Sequence, residues 1–190
     1  MKNKRIVWML TAGLTFGMLT GCGGEEKKTY DQACADLAQG SYDYASGYQS
    51  SITAGYKTAE AYRGAGIANI HLGNYQDAID SLTNGLNDEK AGKALKKDML
   101  AYRATAELKS GLNDAAMADC QTLAESYSMD AETYYLTGCV ALAMDSYDEA
   151  SSNFTEATEK MPLMTERSRS MRHIWKRIWK QMVHDILRLR

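Results

Sequence analysis

Between residues 29 and 162 one short pattern returns four times: Gly40-Ser-Tyr42-Asp-Tyr-Ala45, Gly73-Asn-Tyr75-Gln-Asp-Ala78, Gly111-Leu-Asn113-Asp-Ala-Ala116 and Asp145-Ser-Tyr147-Asp-Glu-Ala150. The closing alanines lie 33, 38 and 34 residues apart. Self-similarity at such a period is the mark of stacked supersecondary units, each too small to bury its own apolar face. The chain holds a single proline, Pro162, so the segments between the turns are free to be helical. Val/Ile alternation of the kind that marks strands is sparse. At 45% hydrophobic and 24% charged residues the composition is that of a folded chain. The expected fold class is all-α, an α-α superhelix of about four helix pairs.

The pattern extends beyond the turns. Seven residues before each turn stand Ala33, Gly66, Ala104 and Gly138, small enough for the first helix of a unit to approach the second. Four residues after each turn alanine come Gln49, Leu82, Cys120 and Phe154, and three later Ile52, Gly85, Leu123 and Ala157. Together with Pro162 at the close, this arrangement resembles the tetratricopeptide repeat, whose period is about 34 residues. The second and fourth units match well. The third has Asn113 where the turn tyrosine belongs, and the first has Gln49 at a core position. The long middle interval is assigned to a polar insert around Asn87-Asp88-Glu89-Lys90.

That resemblance implies a solenoid whose first helices line a concave face able to hold a partner protein or peptide. Carried over, the face comprises Arg63, Ile67, Ile70 and His71, then Ala101, Thr105, Leu108 and Lys109, then Tyr135, Cys139, Leu142 and Ala143. Arg63, Ile67, Ile70, His71, Thr105, Lys109, Tyr135 and Cys139 are the candidate contacts. The set does not reproduce the Lys/Asn/Arg clamp by which some members hold acidic C-termini, so that activity is not implied.

Charge falls into three zones. Residues 1–21 carry three basic side chains and no acids, residues 22–162 a net of −11, and residues 163–190 a net of +6. An acidic body argues against nucleic acid, whose phosphates need basic surface.

The N-terminus reads as an address. Basic residues up to Arg5 precede an apolar stretch from Ile6 to Leu19, shorter than the ~20 residues of a spanning helix. It ends in Leu19-Thr20-Gly21-Cys22, which resembles the bacterial lipobox. The resemblance implies cleavage before Cys22, acylation of its thiol and a lipid-anchored protein outside the cytoplasm, on the cell membrane or on an outer membrane where the envelope has one. Each buried CH₂ of such chains contributes about 0.8 kcal/mol. The alternative is an ordinary signal peptide with an incidental cysteine.

After Pro162 the composition changes. Trp175 and Trp179 share one helical face with Ile174, Ile178, Met182, Val183, Ile186 and Leu187, while basic residues fill the rest. Three readings stand: a helix lying on an anionic membrane, a cap on the last repeat, or a frameshift product. Moving the frame by one nucleotide permits, within codon degeneracy, an acidic Ala/Tyr/Leu-rich sequence like the body.

No Cys-x-x-Cys, His-Glu-x-x-His, phosphate loop or Gly-x-Ser-x-Gly elbow occurs. No metal or other cofactor is expected, and the chain is not expected to be an enzyme. The acid pairs Asp77/Asp80 and Asp145/Asp148 sit at helix starts, where they oppose the positive dipole end. Cys120 and Cys139 come from adjacent units and either pair or remain buried thiols. The chain therefore divides into a signal peptide (1–21), a tether (22–28), a repeat domain (29–162, with repeats at about 26–58, 59–96, 97–130 and 131–162) and a tail (163–190). The expected function is a membrane-anchored interaction scaffold. The alternatives are an accessory subunit of an envelope enzyme or transporter and, further off, a ligand-binding lipoprotein or hydrolase.

Overall fold

The computed structural model describes residues 24–39 and 45–160. Cys22, the first turn from Gly40 to Tyr44, Pro162 and the tail from 163 to 190 lie outside the described residues. Eight helices follow one another among those described: α1 (Glu25–Ala38), α2 (Ala45–Thr53), α3 (Ala59–Leu72), α4 (Tyr75–Leu86), α5 (Lys93–Ser110), α6 (Asn113–Ser126), α7 (Ala131–Ala143) and α8 (Tyr147–Lys160). They pair as antiparallel hairpins, α1 with α2 through α7 with α8, and each hairpin rests on the next. No strand occurs among the described residues, and no helix there is long and apolar enough to cross a membrane.

Local chemistry sets the helix ends. Thr58 accepts a hydrogen bond from the Ala61 amide, and Asp130 accepts from that of Thr133, so α3 and α7 begin on side-chain caps. α3 and α5 end on Gly73 and Gly111, both at φ 80, the left-handed conformation that lets the chain reverse within two residues. After α7 the same job falls to Asp145, at φ 59. Asn113, which replaces the turn tyrosine, donates from Nδ2 to the Ala143 carbonyl at 3.1 Å and so ties the third hairpin to the end of α7.

The small residues do what their spacing predicts. A Cβ on Gly66 would lie 2.5 Å from Leu82 Cγ, and one on Gly138 would lie 2.6 Å from Phe154 Cδ1. Leu82, Cys120 and Phe154 are buried, as are Ile52, Gly85, Leu123 and Ala157. The core is thus a series of clusters strung along the stack, from Ala33, Tyr48 and Ile52 at one end to Ala141, Ala150 and Phe154 at the other.

Two expectations need correction. Gln49 is exposed, and α2 buries Tyr48, Ser51 and Ile52 instead. The residue facing Ala33 is Gly47, so α2 sits out of the register inferred from the later units. The 38-residue interval is only partly a matter of its loop. Residues 87–92 do form an ordered connection in which Asp88 accepts from the Lys90 amide and, across the stack, from the Ala59 amide. Most of the extra length, however, is in α5, which has 18 residues against 13 in α7. The third hairpin accordingly starts at Lys93 and not at 97.

Candidate functional site

The first helices of the hairpins form a row in which α1 touches α3, α3 touches α5 and α5 touches α7. The second helices α2, α4, α6 and α8 make no such contacts with one another among the described residues. The row that closes up is the inside of the curve, and its free face is the candidate site.

The proposed contact residues are placed unequally. Arg63, on α3, donates through Nε to Asp98 of α5, and its guanidinium lies 5.4 Å from the centre of the Tyr102 ring. It therefore bolts two inner helices together. Ile67 is buried, and Ile70 is partly buried against the cluster of Ala59, Leu82 and Met99. His71 and Lys109 are exposed. Thr105 is half-buried and returns its hydroxyl to the Ala101 carbonyl at 2.8 Å. Tyr135 stands with its ring centre 5.7 Å from that of Phe154, and Cys139 packs beside the same cluster. Burial, and after it the Cys139 thiol, raises the Tyr135 hydroxyl above its ordinary range. Leu108 on α5 and Leu142 on α7 are half-buried.

The site that results is apolar and aromatic, with charges of both signs around it, and is held by contacts between repeats. Asp98 and Tyr102 escaped sequence reasoning. The only hint was their i, i+4 spacing on a face of α5 otherwise left unassigned.

The first helices do not carry the body's net acidity. Helices α1, α3, α5 and α7 carry eight acidic and eight basic residues. Helices α2, α4, α6 and α8 carry nine acidic residues against one basic. Asp77 and Asp148 do sit in the first turns of α4 and α8. Asp80 instead accepts from Gln76, and Asp145 accepts from the Tyr147 hydroxyl.

Among the described residues no group of three His, Cys, Asp or Glu could hold a metal ion. Cys34, Cys120 and Cys139 are free thiols. Burial above all pushes the Cys120 thiol up to about 11, against the downward pull of its hydrogen bond with Thr137.

No known protein family matches the chain, and no curated protein is similar to it. Solved structures are. One structure of MamA aligns over 72% of this chain and 78% of its own at 20% identity, with a TM-score of 0.61. Another aligns over 77% and 76% at 19% identity, also with a TM-score of 0.61. A tetratricopeptide repeat protein from Parabacteroides merdae ATCC 43184 covers 73% of this chain at 20% identity, but its TM-score of 0.37 is too low to argue from. With the helix pairing seen here, the likeness establishes the architecture: an all-α superhelix of stacked helix pairs, tetratricopeptide-like in its fold.

Proposed function

We propose that this protein is a membrane-anchored scaffold outside the cytoplasm, fixed by lipid on Cys22, that holds a partner protein or peptide along its inner helix row. The observation that carries the reading is the division of labour between the rows. The outer helices take most of the net charge, while the inner row, neutral overall, keeps Tyr135, Thr105, Leu108, Leu142 and Cys139 half-buried on a curved surface. Such a surface favours an extended segment with apolar and aromatic side chains. The lipobox-like Leu19-Thr20-Gly21-Cys22 supports the anchor. Solenoids use their curved faces for display.

Two measurements test the two halves. Mass spectrometry of the membrane-extracted protein should find an acylated N-terminal Cys22, and Cys22→Ala should release the chain from membranes. Finding the wild type unlipidated ends the anchor. For the groove, crosslinked partners are recovered from membranes with the wild type and with a His71→Glu, Lys109→Glu double variant. Both side chains are exposed, and circular dichroism of the variant checks that it folds. Capture should fall about tenfold or more, and equal capture removes the inner face as the binding surface.

A further inference from the structure

The middle of the stack holds a charged cluster that the inner face does not use. Arg103 of α5 reaches both α4 and α6. Its Nε and Nη2 donate to the two carboxylate oxygens of Asp119, each at 2.7 Å, and its Nη1 donates to Thr83 Oγ1 at 3.1 Å. The guanidinium is thereby committed. One turn further along α5 lies Glu107, whose side chain is only 9% exposed. Its Oε1 comes no nearer than 3.9 Å to Arg103 Nε, and its Oε2 has no hydrogen-bond partner at all. Two carboxylates share one cation that already belongs to the other acid.

An ionised Glu107 would leave the cluster with a net negative charge and a buried, unsatisfied acceptor, both costly. A protonated one leaves it neutral. We propose that Glu107 is a proton-operated lock on the third hairpin, where α5 packs against α6, closed while it holds a proton and loosened when it loses it.

The surroundings fit. Burial first, and then the charge of Asp119 on α6, raise the Glu107 carboxyl to about 7, while Arg103 on its own helix pulls the other way. Cys120, the other titratable group of α6 that feels Glu107, is a neutral thiol near pH 7. Helix α4 meets the cluster through the Thr83 hydroxyl, and neither α3 nor α7 adds a charge that moves Glu107. The folded chain keeps a proton on Glu107 where the unfolded chain, at the ordinary 4.5, has lost it. The native state thus binds more protons between about 4.5 and about 7, and stability falls as pH rises across that window, then levels off.

The test is thermal melting of the full chain and of Glu107→Gln from about pH 4.5 to about pH 8.5. Glutamine keeps the shape and cannot ionise. The wild type should lose several degrees between about pH 5 and about pH 8 relative to the variant, which should melt higher at the alkaline end. Parallel curves overturn the proposal. A second readout needs no variant: the Glu107 side-chain carboxyl carbon, followed by NMR in the wild type, should titrate near pH 7. A midpoint in the ordinary glutamate range overturns it equally.

Discussion

Gly66 and Leu82 occupy one another's space: the volume where a Cβ on the first would sit is filled by the branch point of the second. The contact joins α3 to α4, and Gly138 with Phe154 repeats it between α7 and α8. Leu82 is fully buried and cannot swing aside. Gly66→Ala should therefore destabilise the protein by about 1–3 kcal/mol through overpacking, despite alanine's better helix propensity. Urea denaturation checks this. A variant as stable as the wild type would show that the hairpin is looser than described.

The reversal after α7 is built differently from the two before it. Asp145 adopts φ 59 where its counterparts are Gly73 and Gly111. An L-residue is strained there, although aspartate is among the more tolerant. Asp145→Gly should be neutral or stabilising by up to about 1 kcal/mol, the loss of its exposed bond to Tyr147 notwithstanding. Gly73→Ala should cost about 1–2 kcal/mol. Melting temperatures of the two variants should move in opposite directions, or the first not at all.

Asp130 joins two helices. It caps α7 through the Thr133 amide, and it accepts from Lys97 of α5, which also holds the Ser128 carbonyl. Burial pulls its carboxyl upward, but the bonds from Lys97 and Thr133 prevail and hold it down at about 2. A depressed acid contributes stability that is present above its unfolded value, 3.8, and lost as pH falls towards 2. Asp130→Ala should cost about 1 kcal/mol at neutral pH and flatten the acid limb of the stability curve. An unchanged acid limb in that variant would remove Asp130 from the account.

Cys120 is 1% exposed, and its thiol stays protonated well above neutrality. Iodoacetamide at pH 8 should leave Cys120 unmodified in the folded chain and label it after denaturation. Peptide mass spectrometry distinguishes the cases. Rapid native labelling would mean that α6 opens readily.

Much of the fold was legible because the sequence repeats its packing solution. The Gly66–Leu82 and Gly138–Phe154 pairs follow from counting residues out from the turns. The first hairpin was not legible in the same way. There Tyr48 fills the core and lies against Gly64 of the next hairpin, so the bulky position moved off Gln49. The inner face was legible as a set of positions but not as a set of contacts. Arg63 finds Asp98 35 residues away, across two hairpins, and no local spacing announces such a bond. Arg103 and Glu107 look like an ordinary surface i, i+4 pair. Only the cover given by the neighbouring helices, with Asp119 as a competing acid, makes that spacing consequential.

The crowding of carboxylates on α4, α6 and α8 gives the stack an elastic property. Like charges on these helices repel while the inner helices touch one another, so electrostatics should favour bending the array towards its neutral side. Dissolved salt shortens the reach of that repulsion to about 10 Å at 0.1 M and further above it. The radius of gyration of the protein in solution should therefore change as salt is added, which small-angle scattering checks.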